Sequence, residues 1–220
     1  NPFTVLLGDY LYIRSMNMAL RAQKLRLIEI LAEATERMIE GEMLGDRLRG
    51  RADVTPEQHM EIVERKTAWL FSGCCRVAAV LAGAPKDVED RLAAYGMSLG
   101  VAFQLVDDLL DVTADEATLG KPVASDLREG RLTLPWIDLL ARGSEEDRAG
   151  LLAVLREGSF EHISFRRLRA SLEKHGCLDD TRRLAAKHAA RAREIIEAFT
   201  PGPWRNVLLG IPDAIISRDR

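Results

Sequence analysis

The stretch that most constrains this chain runs from Tyr95 to Asp111. Tyr95 to Val106 contains no charged residue, and the run closes on Asp107, Asp108 and Asp111. An uncharged apolar segment of that length belongs inside a fold, and carboxylates at its end must be solvated, hydrogen-bonded or neutralised. On a helix, Asp107 and Asp111 stand at i and i+4 and share a face, with Asp108 turned about 100° away. Like charges at that spacing cost a bare helix a few tenths of a kcal/mol, and the C-terminal end of a helix repels anions. Oxygen-only ligands suit a hard cation, and Mg²⁺ typically takes one or two carboxylates plus substrate phosphates. By spacing alone the cluster suits a solvated helix end equally well. A glycine-punctuated basic segment follows directly, GKP at 120–122 and SDLREGRLTLP at 125–135.

Elsewhere the pattern is helical, with no convincing alternating strand. The spacing predicts helices over 5–20 and 24–44, the second with Ile28, Leu31, Thr35, Met38 and Ile39 on its apolar stripe. Thr55-Pro56-Glu57-Gln58 supplies an N-cap, a proline at the first helical position and a capping-box glutamine. The helix it opens is expected to run unbroken to about Ala82, ended by Gly83 and Pro85. Lys86 to about Thr113 forms the helix that carries the aspartates. After a loop at 114–130, helical patterns return at 131–142, 145–157, 161–175 and 177–199, with Ser144 as a candidate N-cap. Pro201-Gly202-Pro203 breaks the chain before a last amphipathic helix through Ile216. About nine helices without repeat or linker make one all-α domain over 1–220, and a chain 47% hydrophobic can fill its core.

A net charge of −3 offers no basic field for a nucleic-acid partner. Three cysteines, two of them adjacent, form neither a disulfide framework nor a zinc spacing, so free thiols in a reducing cytoplasm are expected. No run reaches 18 apolar residues, so no membrane span is expected, and no signal peptide is visible. The chain opens on Asn1 and enters apolar helical sequence at once, as the interior of a longer protein would.

Several cationic and polar residues suit a diphosphate beside the aspartates. Lys66-Thr67 sits mid-helix among apolar residues, where a lysine alone would simply snorkel to water. Lys121 lies between a glycine and a proline, and Arg131 opens the next helix near Arg128. Gln104 stands one turn before Asp108. A magnesium-clamped diphosphate in an apolar helical bundle suggests ionisation of a carbon–diphosphate bond, with dry walls protecting a carbocation. No nucleophile–base dyad is visible. The four histidines (His59, His162, His175, His188) are expected at the surface, and Asp179-Asp180 reads as a solvated helix start.

LLGDYLY, MIEGEM, ERKTAWLF, YGMSLGVAFQLVDDLLD and LGKPVASDLREGRLTLP occur in this order. On these motifs the whole chain resembles the trans-isoprenyl diphosphate synthases, or polyprenyl synthetases, in particular the bacterial long-chain, octaprenyl-type branch. The resemblance implies an isoprenoid-synthase-type helical bundle and head-to-tail addition of isopentenyl diphosphate to an allylic diphosphate such as geranyl or farnesyl diphosphate. It implies that Asp107, Asp108 and Asp111 form the family's second aspartate-rich motif, a Mg²⁺ site with Asp107 as the most direct ligand. Lys66, Thr67, Gln104 and Lys121 match positions near the allylic diphosphate or the cation it generates. Arg131 stands where the family often has lysine, which keeps the charge but not the geometry. The resemblance also implies a homodimer through the early helices, and a long product allows peripheral membrane contact.

The family's first aspartate-rich motif belongs upstream of GDYLY, and no DDxxD precedes Asp107 here. The bundle is therefore expected to be incomplete at its N-terminus, 1–220 to be the C-terminal part of the domain, and this chain alone to be nearly inactive. The alternative is a non-catalytic subunit of a heteromeric synthase. A terpene cyclase or squalene-type enzyme uses similar aspartates, but the loop at 120–135 favours chain elongation.

Overall fold

The structure, a computed structural model, describes residues 2–114 and 123–219. Among them are eleven α-helices: α1 (Pro2–Arg21), α2 (Leu25–Leu48), α3 (Pro56–Val63), α4 (Trp69–Leu81), α5 (Lys86–Thr113), α6 (Ser125–Arg128), α7 (Leu134–Arg142), α8 (Glu145–Glu157), α9 (Phe165–Lys174), α10 (Cys177–Glu197) and α11 (Pro203–Ile216). A π-helical turn, Glu64–Ala68, joins α3 to α4, and a 3₁₀ turn, Ser217–Asp219, follows α11. No strand occurs among the described residues.

The uncharged run makes α5 the central post. Tyr95, Leu99, Val101, Ala102, Leu105, Val106, Leu109 and Val112 are buried over about half of its circumference, and on the other side the buried Gly96 and Gly100 let the backbone at Phe71 and Ala68 approach. It packs on α4 and α10, with α11 and α7 closing the remaining faces. Its C-terminal half also enters a second apolar cluster around Trp136, where Leu109 and Val112 meet Leu127, Leu139, Leu151 and Leu172.

The unbroken helix expected over 55–82 is interrupted. The capping box of Thr55 and Gln58 forms, but Glu64–Ala68 widens into a π turn. Neighbours press on it from two sides. A Cβ on Gly41 of α2 would lie 2.7 Å from the Lys66 backbone N, and one on Gly100 of α5 would lie 2.5 Å from the Ala68 Cα. The backbones touch, and only glycine leaves room.

The same crowding corrects the stripe expected on α2. Its inward residues are Leu27, Ile30, Ala34 and Gly41, small where the π turn comes closest, while Ile39 and Met43 face outward. Other boundaries also shift. Residues 125–128, expected in a loop, form the single turn α6; α7 starts at Leu134 rather than 131; α9 starts at Phe165, with Ser164 capping Arg167 N. Ser144 caps α8 as expected, in a box with Asp147.

The last helix is tied to α5 through its backbone. Pro212 sits inside α11 and has no N–H to give the carbonyl of Leu208. The Tyr95 hydroxyl donates to that carbonyl instead, at 2.8 Å. Helix α1 is different: it has no buried residue, and Phe3, Leu6, Tyr10 and Ile13 are all more than half exposed. No described helix is long and apolar enough to cross a membrane.

A buried ion-pair network joins α2, α4 and α5. Glu89 accepts from Arg26 at 2.9 Å and from Arg76 at 3.4 Å, and Arg76 also donates to Glu33 at 2.8 Å. Burial alone would push the Glu89 carboxyl up, but the bonds and charges of Arg26, then Arg76 and Lys86, hold it below the usual glutamate range. A depressed native value means stability that is complete above the ordinary 4.5 and lost as pH falls through the lowered value. Replacing Glu89→Gln is expected to lower stability at neutral pH and flatten the acid limb of a denaturation-versus-pH curve. Gly100→Ala is expected to cost about 1–3 kcal/mol, a fall of several degrees in thermal midpoint for a chain of this size. An unchanged midpoint would mean the contact with Ala68 yields freely.

Candidate active site

A cleft opens between α2, α3, the π turn, α5 and the segment 126–133, with His59, Ile62 and Val63 of α3 in its wall. Five of the eight residues singled out from the sequence lie in its wall: Lys66, Thr67, Gln104, Asp108 and Arg131. Lys121 lies outside the described residues. Asp107 and Asp111 are on the same helix but outside the cleft lining.

The π turn positions the first two. An extra residue in the turn rotates the backbone, so consecutive residues serve the same cleft; π turns recur at functional sites for this reason. The Lys66 ammonium meets Glu42 of α2 at 2.6 Å, more than a snorkelling lysine would show, with its side chain 45% exposed. The Thr67 hydroxyl donates to Gln104 Oε1 at 2.8 Å, and Gln104 Nε2 donates to Asp108 Oδ1 at 3.0 Å.

The three aspartates occupy an arc about 100° wide on α5, yet each turns to a different partner. Asp107 is half exposed and pairs with Arg218 of the 3₁₀ turn at 3.2 Å. Arg218 also covers the face of Phe103, 4.8 Å from the ring centre. Asp108 is buried and divides its oxygens between Gln104 and His59. Asp111 is buried: Oδ1 accepts from Ser125 N and Oγ, and Oδ2 from Asp126 N. That fold-back holds the buried Ala124 at φ 52°, a left-handed conformation that a non-glycine residue keeps only where the surroundings enforce it. Arg131 is then fixed by Nε and Nη2 bonds of 3.1 and 3.0 Å to Asp126.

Negative charge is crowded here. Burial, and then the charges of Asp111 and Asp108, push the Asp126 carboxyl above the usual aspartate range, and Arg131 only partly offsets them. Among the described residues no group of three or more His, Cys, Asp or Glu side chains converges as a ready-made metal cage.

The histidine expectation needs correcting. His162 is exposed, and His175 and His188 are half buried, but His59 is 6% exposed, with Nε2 3.0 Å from Asp108 Oδ2. One signal was available: Ile62 and Val63, three and four residues on, put His59 on the apolar face of α3. Asp179 and Asp180 do open α10; Asp180 also pairs with Arg142 of α7.

Comparison with known proteins matches this architecture. The family model for polyprenyl synthetase matches residues 1–169. The chain is 35% identical over 220 residues to octaprenyl diphosphate synthase of Escherichia coli, covering all of this chain and 68% of that protein. It is 31% identical to a short chain isoprenyl diphosphate synthase of Methanothermobacter thermautotrophicus, covering 99% and 68%. A polyprenyl synthase from Caulobacter crescentus, solved in complex with calcium and isoprenyl diphosphate, superposes with a TM-score of 0.92 at 33% identity, covering 100% of this chain and 67% of that one. The chain thus spans about two thirds of the length of these relatives. The cleft, its residues and these likenesses agree: the chain belongs to the polyprenyl synthetase family of prenyltransferases.

Proposed function

We propose that the cleft binds an allylic prenyl diphosphate, to which isopentenyl diphosphate is added head-to-tail to lengthen a polyprenyl chain. The observation that carries this reading is the convergence of Lys66, Thr67, Gln104, Asp108 and Arg131 on one cleft. The relatives' names and the isoprenyl diphosphate held by the Caulobacter protein support the substrate class.

Lys66 and Arg131 would bind the diphosphate, joined by Lys121. Both pair with carboxylates, Lys66 with Glu42 and Arg131 with Asp126 and Glu129. Lys66 and Glu42 are about half open to water; such pairs are worth about 1 kcal/mol or less, so phosphate oxygens can displace Glu42 at little cost. When the C–O bond to diphosphate breaks, the allylic cation forms against the apolar wall of Val54, Ile62, Val63 and Leu132, which excludes water. Thr67 and Gln104 turn oxygen dipoles toward it. The isopentenyl double bond then supplies the electron pair for the new C–C bond, and a proton leaves the adjacent carbon.

Mg²⁺ fits the donor chemistry: the oxygens are hard, negative charge is in excess around Asp126, and Asp107 is half exposed. When bound, it would neutralise the departing diphosphate. Asp107 would hold it, releasing Arg218. Asp108 and Asp111 would keep their neighbours in register, since the oxygens of both already accept hydrogen bonds. The bare apolar flank of α1 supports a homodimer formed through α1 and α2.

Calorimetry with farnesyl thiodiphosphate, a slow-reacting analogue, tests the site. Binding is expected to require Mg²⁺ and to weaken about 10–100-fold in Lys66→Ala, the worth of one charged hydrogen bond. Asp107→Ala should remove the Mg²⁺ dependence. Wild-type affinity in Lys66→Ala would sink the proposal. For the dimer, light scattering should give twice the chain mass of 24.5 kDa, and Leu6→Glu with Ile13→Glu should return it to the single-chain value.

A further inference from the structure

We infer that His59 is a positioning residue of the cleft, fixing Asp108 and through it the orientation of Gln104 and Thr67. His59 belongs to none of the groups that touch substrate in the reading above. It stands in the first turn of α3, where its N–H bonds to the carbonyl of Thr55 and the capping box of Thr55 and Gln58 fixes the turn. The imidazole is nearly closed to water and spends Nε2 on a carboxylate 49 residues away in sequence.

The bonds have a direction. Asp108 offers only acceptors, so Nε2–H of His59 and the Nε2 amide of Gln104 both donate to it, at 3.0 Å each. The amide of Gln104 is thereby turned so that Oε1 faces Thr67, whose hydroxyl must donate, at 2.8 Å. The Thr67 proton is committed, and its oxygen presents lone pairs alone to the cleft. An amide oxygen and nitrogen are nearly isosteric, so only the network sets this sense. The carboxylate that sets it is itself oriented by His59: with Nε2 removed, Oδ2 of a carboxyl only 2% exposed loses its donor, and the group must turn toward another. His59 therefore stands in the cleft wall beside Asp108 and reaches Gln104 and Thr67 through that carboxylate.

The test has one readout independent of substrate. In the wild-type chain, ¹⁵N-detected histidine spectra should show Nε2 as the protonated nitrogen of His59; an unprotonated Nε2 would overturn the inference without any variant. His59→Phe keeps the ring and removes the donor, whereas His59→Gln keeps a donor at similar reach. In His59→Phe the Gln104 side-chain amide signals should shift and exchange with solvent at least about tenfold faster, and in His59→Gln they should stay near wild type. A lost hydrogen bond to a buried carboxylate is worth about tenfold or more in affinity, so His59→Phe should weaken Mg²⁺-dependent farnesyl thiodiphosphate binding by at least about tenfold, with His59→Gln restoring it. A lowered thermal midpoint with unchanged Gln104 signals and affinity would make His59 a structural tie only and sink the inference. The binding arm rests on the proposed function: should the wild type bind no analogue while the Gln104 signals respond as described, the substrate reading falls and the positioning role stands.

Discussion

A carboxylate inside an apolar bundle needs a donor, and α5 carries three where its own dipole is least favourable to them. The way each is satisfied determines what surrounds the cleft. Asp111 draws back the chain at 125–126 and makes it a wall. Asp108 reaches across to α3 and, through Gln104, to the π turn. Asp107 meets the end of the chain through Arg218. Three segments distant in sequence are thus held to one helix by its anions. The cleft is the space they leave, and negative charge stays in excess around Asp126 at its edge.

The opposite requirement shapes the other side of the cleft. There the chain needs close approach rather than charge, and backbone meets backbone where Gly41 and Gly100 flank the turn carrying Lys66 and Thr67. A helix of regular pitch pressed from two sides has little freedom to re-aim two neighbouring side chains. The π turn absorbs that conflict locally, and α3 and α4 remain regular on either side of it.

Features written in local sequence were legible in advance. The uncharged run predicts a buried post, and every residue from Tyr95 to Val106 is at least partly buried; Thr55 to Gln58 predicts a capping box, and both of its bonds form. Lys66, Thr67, Gln104, Asp108 and Arg131 were recognisable through their motifs, and the fold brings them to one cleft. What was not legible depends on partners far away in sequence. The stripe on α2 differs because size alone does not mark burial: Leu27 and Ile30 are buried, but further along the inward positions are Ala34 and Gly41, and Gly41 is small to admit the backbone at Lys66. The π turn leaves no mark on hydrophobic periodicity, which hardly changes over five residues. His59 was misplaced because a lone histidine among polar neighbours looks solvated until Asp108 is set beside it.

The bond from Tyr95 to the Leu208 carbonyl bears on how this molecule tolerates change. A main-chain oxygen is present whatever residue occupies position 208, so this one tie of α11 to the post reads no side chain on α11 except the proline that vacates the oxygen. Substitutions along the outer flank of that helix, where Trp204, Val207 and Ile211 meet solvent, can accumulate without breaking this tie. For this bond the two positions that cannot drift independently are 95 and 212. Restoring an N–H at 212 gives the oxygen a second suitor within its own helix, and removing the phenol leaves it with none.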